Sequence, residues 1–365
     1  MDLTKIKLTP LIDTLRFEKI DDAEYFSKKY SDYISNSRLG LINPEQNGSP
    51  MKYFTGFAGN KIYSDSLRFG SAIHMSQLQP ELFELCDSVD LPTGKVGFIA
   101  ELVYDKMKKN DNYYLLDNML IEAAIEVDYY HGMLNEKQLT NLRQKVHEYV
   151  KARYEFEQSY DGGKDVFYLS EKDKKRYNGC VDALNKNQRI QSLLRPTGLL
   201  EDPICGNETT ILVDFKVEEE GRDPFIIRLK SKLDNFTIDK ETNTIIVNDV
   251  KTTGFSTLKF NDSLLKYHYH REMAMYCSLL CMVAKKYYGI EKPTVKSNFL
   301  VVSTIPSQDI YYTRVVPMTR PLFLSGFAEL RELIKRVAYY TSHPDEIESY
   351  ELDLEENAQK YDFAV

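Results

Sequence analysis

The sequence predicts an α+β protein in which a central mixed β-sheet is flanked by helices and the N-terminal half is mainly helical. Between about 95 and 195, four segments place apolar residues at spacings of three and four, which is the period of a helix. From 199 onward the pattern changes to short β-rich runs, and another long helical segment follows the third of them. Helices followed by a run of strands are typical of α+β proteins.

In chain order, we predict short helices within the first 60 residues, with Ser35 or Asn36 as an N-cap. Four helices follow over 98–109, 112–127, 137–160 and 170–194, and Pro196 and Gly198 end this block. A strand near 208–220 leads to a β-hairpin over 225–251 with a polar turn at 239–243. One helix over 259–289, strands over 297–305 and 309–318, and a final helix over 320–343 complete the prediction.

The composition is that of a globular protein with a substantial core, since 42% of the 365 residues are apolar and 28% are charged. No apolar run is long enough for a transmembrane helix. The first residues lack the charged region and apolar block of a secretory signal, so we expect a cytoplasmic location and no membrane partner. Five scattered cysteines without a CxxC pair predict reduced thiols, and neither disulfides nor a zinc site.

The formal net charge of −8 counts against a protein that coats nucleic acid non-specifically, because such proteins usually present a basic surface. It does not exclude an enzyme with a local basic channel, since the acidic residues can lie in tails and on the outer face. The acidic C-terminal stretch PDEIESYELDLEEN supplies part of the imbalance.

The predicted hairpin carries the main candidates for chemistry. Asp249 and Lys251 point to one face of the strand, Val250 points to the other, and Asp234 can reach the same end of the sheet. Two carboxylates beside an ammonium group suit a hard divalent cation and a bound water. Taken alone, the spacing D-x14-D-x-K is common, and surface charge pairs at strand ends are ordinary. The apolar run IIV before Asp249 favours a central strand, where a buried acid needs a reason.

Other candidates lie far from the hairpin in sequence. His74 follows Gly70 by four positions within an apolar helical pattern, where a lone histidine is more often a core residue than a ligand. Glu208 opens the strand before the hairpin. His268 and His270 do not share a helical face, so we expect His268 to face solvent and neither of them to bind a metal.

Taken together, these elements resemble the PD-(D/E)XK nuclease superfamily, in the branch that contains RecB nuclease domains and bacteriophage lambda exonuclease. The similarity is greatest to RecE-type phage exonucleases, covers most of residues 30–285, and is carried by SLRFGSAIHMSQLQPELF, DVKTT and YHYHREMAMY. It implies an α/β/α fold of the restriction-endonuclease type. In this interpretation 1–198 is the helical part that contributes Gly70 and His74, 199–343 is the catalytic core, and 344–365 is an acidic tail.

The resemblance implies a role for each matched residue. The catalytic metal, Mg²⁺ with Mn²⁺ as a substitute, would be held by His74, Asp234, Asp249 and the carbonyl of Val250. Glu208 would be an additional acid near a second ion, and Lys251 would be the catalytic lysine that positions or deprotonates water or stabilises the phosphorane.

A second group would contact DNA. Tyr276 matches the tyrosine of the helix motif, and Glu272 stands where the family has glutamine. A carboxylate cannot donate a hydrogen bond to a phosphate, so Glu272 would orient Lys251 or a metal-bound water, or Arg271 would contact the substrate. Three further candidates, for a 5′-phosphate, are Ser35, Ser37 and Arg38, with a helix cap and a surface arginine as the competing interpretation.

The activity implied by the resemblance is that of a metal-dependent DNA exonuclease, acting 5′→3′ on linear duplex ends in phage or prophage recombination. A ring-shaped homo-oligomer and a single-strand annealing protein are the implied partners, in the host cytoplasm. Two alternatives stay open, namely a structure-specific endonuclease on the same fold and a non-catalytic DNA-end-binding protein.

Overall fold

The computed structural model describes residues 1–56, 63–195 and 203–350. Six strands form the central sheet: β1 (Ile6–Glu18), β4 (Pro203–Glu219), β5 (Phe225–Asp239), β6 (Thr244–Thr253), β7 (Thr294–Ser303) and β8 (Thr313–Pro317). Two short strands, β2 (Phe83–Leu85) and β3 (Asp165–Phe167), pair with each other in parallel. The order in the sheet is β1-β4-β5-β6-β7-β8. Of its neighbouring pairs only β6–β7 is parallel, which confirms the predicted mixed sheet.

Twelve α-helices are found in the described residues. They are α1 (Asp22–Tyr25), α2 (Asn36–Leu39), α3 (Pro50–Thr55), α4 (Asp65–Leu78), α5 (Lys95–Lys109), α6 (Asp117–Glu126), α7 (Glu136–Ser159), α8 (Glu171–Lys186), α9 (Gln188–Leu194), α10 (Phe260–Lys266), α11 (Tyr269–Tyr288) and α12 (Arg320–Ser342). The predicted helical block is confirmed, with its fourth helix divided at Asn187. The Asn187 side chain accepts a hydrogen bond from the backbone N–H of Ile190 and so caps α9.

Helices cover both faces of the sheet, and β6 shows how. Val247 lies in the core formed with α11 and α12, where Met273 and Leu333 are buried. Val250 lies in the core on the opposite face, with Phe69 of α4. Helices α5 to α7 enclose a core of their own. The sheet therefore separates α4 from α11, and a site at β6 can receive side chains from both.

The predicted hairpin is confirmed as β5 and β6, although its first strand, expected to end near Asp234, continues to Asp239. The short helices predicted within the first 60 residues are confirmed by α1 and α2, and Ser35 is the N-cap of α2. Residues 6–18 form β1, which the sequence pattern does not predict. This strand has Pro10 and an irregular register between Leu11 and Arg16, so its alternation is weak in the sequence and its pairing with β4 defines it.

The predicted helix over 259–289 is two helices, α10 and α11. They separate at His268, whose backbone adopts a left-handed conformation with φ of 54°. All five cysteines are free thiols, of which Cys86, Cys180 and Cys277 are buried.

None of the helices in the described ranges combines the length and the apolar character needed to cross a membrane. The division of the chain into 1–198, 199–343 and 344–365 stays a prediction, and most of the acidic tail lies outside the described residues.

Candidate active site

Three acidic residues lie on neighbouring strands near the middle of the sheet. Register pairs Asn207 of β4 with Asn235 of β5, and Asn235 with Asn248 of β6. Glu208, Asp234 and Asp249 are each one position from this row, and each is buried. Glu208 lies inside β4 and does not open it, and its backbone φ of 49° is a left-handed conformation that is uncommon for glutamate. The strand is therefore locally distorted at the residue that brings a carboxylate to the row.

His74 of α4 joins two of these acids. Its Nε2 lies 2.8 Å from Oδ2 of Asp234, and its Nδ1 lies 3.4 Å from Oε1 of Glu208. One candidate ligand atom from each of the three residues lies within 4.8 Å of the other two. Gly70 lies on the same helix close to β6, since a Cβ at that position would be in van der Waals contact with Oγ1 of Thr252, at 3.4 Å. α4 therefore packs directly against the strand that carries Asp249.

Lys251 and Asp249 do share a face, and α11 adds a second carboxylate to them. The Nζ atom of Lys251 lies 2.9 Å from Oδ2 of Asp249 and 3.0 Å from Oε2 of Glu272. The hydroxyl of Tyr276 donates a hydrogen bond to Oε1 of Glu272 at 3.1 Å. Tyr269 places its ring 4.7 Å from the same ammonium group. This is the geometry expected if Glu272 orients Lys251, whereas Asp249 lies outside the three-residue group around His74.

The electrostatics of the site follow from its burial. Burial alone would lower the pKa of His74, but the carboxylate of Asp234 raises it to about 9. Burial, together with the nearby Asp234, raises the pKa of Asp249 well above its ordinary range. Burial also opposes the charge on Lys251, but Asp249 and Glu272 raise the pKa of its ammonium group well above the ordinary value. Lys251 is therefore a cation at every physiological pH.

The donor set fits a hard divalent cation. Carboxylate oxygens with one imidazole nitrogen are suitable ligands for Mg²⁺ or Mn²⁺. Oε1 of Glu208 and Oδ2 of Asp249 are buried and receive no hydrogen bond of good geometry. Each of them has one nearby cationic group, Nδ1 of His74 at 3.4 Å and Nζ of Lys251 at 2.9 Å respectively, and keeps a lone pair with which it can bind a ligand. The backbone N–H of Val250 donates to Oδ2 of Asp234 at 2.8 Å, and the ligand role of the Val250 carbonyl stays a prediction.

The site opens into a cleft of about 520 Å³ between α4 and the sheet. His74, Glu208, Asp234 and Lys251 line it, together with Lys232, whose Nζ lies 3.2 Å from Oε2 of Glu208. Solvent can therefore reach the candidate metal group and the lysine from the same side.

Some predicted DNA contacts lie elsewhere. Arg271 is buried, and its guanidinium donates hydrogen bonds to Oδ1 of Asn36 at 2.8 Å and to Oε1 of Glu329 at 2.8 Å. The suggestion that Arg271 contacts substrate is contradicted by this burial. His268 is buried as well, and the expectation that it faces solvent is wrong, because Glu329 of α12 lies against it.

In the group predicted to bind a 5′-phosphate, Ser35 forms the helix cap of the competing interpretation, whereas Arg38 is half-buried and not a surface arginine. Oγ of Ser35 caps α2 by accepting from the backbone N–H of Arg38, and it lies 3.0 Å from Oγ of Ser37. The Arg38 guanidinium donates to the carbonyl of Ser31 and stacks over Tyr53. Ser35, Ser37 and Arg38 are absent from the described residues that line the cleft.

A ladder of hydrogen-bonded asparagine side chains lies beneath the site, and the sequence analysis does not predict it. Nδ2 of Asn235 donates to Oδ1 of Asn207 at 2.7 Å, Nδ2 of Asn248 donates to Oδ1 of Asn235 at 2.8 Å, and Nδ2 of Asn298 donates to Oδ1 of Asn248 at 2.9 Å. The ladder fixes the relative register of β4 to β7. Three of its four members are adjacent in sequence to the three acids, in the pairs Asn207–Glu208, Asp234–Asn235 and Asn248–Asp249. Asparagine is disfavoured within strands, so its repeated occurrence next to a carboxylate in β4, β5 and β6 is the sequence signal for the ladder.

Replacing Asn248 by alanine is expected to destabilise the protein by about 1–3 kcal/mol, because Asn235 and Asn298 each lose a buried partner. The turnover rate should also fall, since Asp249 is the next residue and its strand is no longer held by the ladder. Urea unfolding and steady-state kinetics measure the two effects. Asn298→Ala is the matched control at the half-buried end of the ladder, where we expect a smaller loss of stability and a nearly unchanged turnover rate.

The comparisons with known proteins add little to this geometry. No family model matches the chain, and no curated protein matches its sequence. A crystal structure from Eubacterium rectale, named "Putative exonuclease", aligns over 88% of this chain and 85% of its own, with 12% identity and a TM-score of 0.34. A similarity at that score carries no argument about the fold or the activity.

Proposed function

We propose that this chain is a metal-dependent nuclease that hydrolyses phosphodiester bonds of DNA. The observation that carries the proposal is the convergence of His74, Asp234 and Glu208 beside Asp249 and Lys251, all at one row of the sheet and close to an open cleft. Residues from three strands and a distant helix meet there although burial of these charges is costly. The motifs shared with RecE-type exonucleases support the same chemistry.

In this proposal Mg²⁺, or Mn²⁺ in its place, is bound by His74, Asp234, Asp249 and the Val250 carbonyl, with Glu208 as a further acid. When bound, the ion supplies positive charge to the scissile phosphate and lowers the pKa of a bound water. His74 must lose its proton before it can bind a metal, because Asp234 holds its pKa at about 9.

We assign Lys251 the role of a fixed cation. Its ammonium group lies between the carboxylates of Asp249 and Glu272, which favours this role over the alternative in which it removes a proton from water. Its ammonium group can instead donate hydrogen bonds to the attacking water or to the phosphate oxygens, where negative charge develops. Glu272, held by Tyr276, keeps that ammonium group in place.

The rim of the cleft suits a nucleic-acid strand. Phe26 and Leu67 line the cleft and are 75% and 58% exposed, so Phe26 offers an aromatic ring on which a base can stack and Leu67 offers an apolar contact beside it. Lys232 and Lys251 line the same cleft together with the carboxylates of Asp22, Glu208 and Asp234. A bound metal ion would therefore supply the net positive charge that a DNA phosphate needs there.

The finer assignments rest on the resemblance alone. We propose 5′→3′ digestion of linear duplex ends, in phage-type recombination with a single-strand annealing protein, and a ring-shaped homo-oligomer around the DNA. The endonuclease alternative uses the same site, so only the choice of substrate distinguishes the two.

Linear duplex DNA should be shortened progressively from its ends in the presence of Mg²⁺, while covalently closed circular DNA of the same sequence stays intact. Duplexes labelled at the 5′ or the 3′ end measure the polarity, and early release of 5′-terminal label is expected. Rapid cleavage of the closed circle would favour the endonuclease. If the protein retains DNA ends but degrades neither substrate with Mg²⁺ or Mn²⁺, the non-catalytic alternative is correct.

A further inference from the structure

A second group of candidate metal ligands lies at the start of α11, apart from the candidate active site. His268 and His270 come from the segment that begins α11, and Glu329 comes from α12. Nδ1 of His268 lies 2.8 Å from Oε1 of Glu329, and Nε2 of His270 lies 3.2 Å from Oε2 of the same carboxylate. One candidate ligand atom from each residue lies within 4.8 Å of the others.

Local backbone geometry builds this group. His268 has a left-handed conformation between α10 and α11, and its side chain contacts Glu329 of α12. Gly326 lets α12 approach, because a Cβ there would lie 2.2 Å from the carbonyl oxygen of His270. Glu329 follows Gly326 by three positions and so lies on the same face of α12. The three side chains meet because α11 and α12 pack closely together at Gly326.

The hydrogen bonding of the histidines is incomplete. His268 and His270 are 7% and 6% exposed, and Nδ1 of each ring has no hydrogen bond of good geometry within the described ranges. Nδ1 of His268 nevertheless lies close to a Glu329 oxygen. The two atoms approach each other without the angle of a hydrogen bond, which is how two ligands of one metal ion are arranged.

Arg271 and Asn43 complete the surroundings of Glu329. The Arg271 guanidinium and the Asn43 amide donate to Oε1 at 2.8 and 2.9 Å, which leaves Oε2 as the oxygen without these donors. Burial would raise the pKa of Glu329, but His270, Arg271 and His268 lower it to about 2. The carboxylate is therefore ionised and oriented by a neighbouring cation, as ligating carboxylates commonly are.

We propose that His268, His270 and Glu329 form a second metal site, for Zn²⁺ or a similar nitrogen-preferring divalent cation, that fastens α11 to α12. Two imidazoles and one carboxylate are a zinc-type donor set, whereas the oxygen-rich group around His74 favours Mg²⁺ or Mn²⁺. Glu272 lies one helical turn after His268. The bound ion would hold in place the part of α11 that carries Glu272, and it is independent of the proposed nuclease activity.

Metal content measures the proposal directly. Full-length protein stripped with a chelator and then dialysed against Zn²⁺ with Mg²⁺ in excess should retain one zinc per chain, and its melting temperature should rise. His270→Ala and Glu329→Gln should lose that zinc and that shift. Asp249→Asn should keep both, which separates this site from the candidate active site.

His131→Ala is the matched control, since His131 is an exposed histidine that lies 2.8 Å from an aspartate, Asp128. It should bind zinc as the wild type does. Circular dichroism shows whether each variant is folded, and Co²⁺ substitution gives a visible spectrum that should be lost with His270→Ala. Full zinc retention by folded His270→Ala and Glu329→Gln, or no zinc in the wild type under excess Mg²⁺, would overturn the proposal.

Discussion

Replacing Lys251 by methionine is expected to reduce DNA hydrolysis by about 10²- to 10⁴-fold at saturating Mg²⁺. Methionine keeps most of the aliphatic length and removes only the charge. The lost ammonium group is the cation that lies between Asp249 and Glu272, at 2.9 and 3.0 Å. Because its role is to stabilise charge that develops in the transition state, the loss should appear in kcat more than in KM.

The same substitution should also weaken the metal-free protein. Lys251, Asp249 and Glu272 are mostly buried, and a buried carboxylate that loses its counter-ion typically costs about 3–5 kcal/mol. Lys216→Met is the control, because Lys216 is 41% exposed and lies 2.8 Å from Glu218 on the same sheet. It should change the unfolding free energy by no more than about 1 kcal/mol and leave the rate unaltered. Full activity of Lys251→Met would remove the proposed mechanism.

Local patterns in the sequence explain what could be predicted. The helical block and the hairpin follow from the period of their apolar residues, and the common face of Asp249 and Lys251 follows from the alternation of a strand. Glu272 and Tyr276 interact because they are four residues apart on one helix. Each of these features depends on residues that are close together in the chain.

Features that depend on distant packing could not be predicted in the same way. Whether His74 is a core residue or a ligand is decided by the approach of α4 to β6, and Asp234 is 160 positions away. His268 is buried only because α12 brings Glu329 to it. The first strand has too little alternation to be recognised before β4 is placed beside it. Tertiary contacts decided these positions, and single-sequence patterns contain little information about them.

Asp249→Asn is expected to abolish activity and, at the same time, to stabilise the metal-free protein. The substitution keeps the shape of the side chain and removes a carboxylate whose ionisation is opposed by burial and by Asp234. Lys251 keeps Glu272 as a partner. The rate should fall by at least about 10²-fold, because a charged group at the reacting centre is lost. Added Mn²⁺ or Mg²⁺ should raise the melting temperature of the wild type more than that of the variant.

The raised pKa of Asp249 determines how the stabilisation by Asp249→Asn changes with pH. The pKa of Asp249 is raised in the folded state, so the folded protein binds this proton more tightly than the unfolded chain does. Stability contributed by the group is then complete below the ordinary aspartate pKa and is lost as the pH rises through the folded value. The gain in unfolding free energy from Asp249→Asn should therefore be small in acid, grow as the pH rises, and then level off. Chemical denaturation of metal-free protein across this range measures it.

Asp214→Asn provides the comparison. Asp214 lies on β4, is partly exposed, and is 3.8 Å from Arg228. For Asp214→Asn we expect neither a gain in unfolding free energy that increases with pH nor a loss of activity. A wild type that is more stable than Asp249→Asn at neutral pH without metal would mean that the carboxylate is satisfied by the protein itself. Burial of that charge would then need no metal ion to explain it, and the observation that supports a catalytic site at Asp249 would be lost.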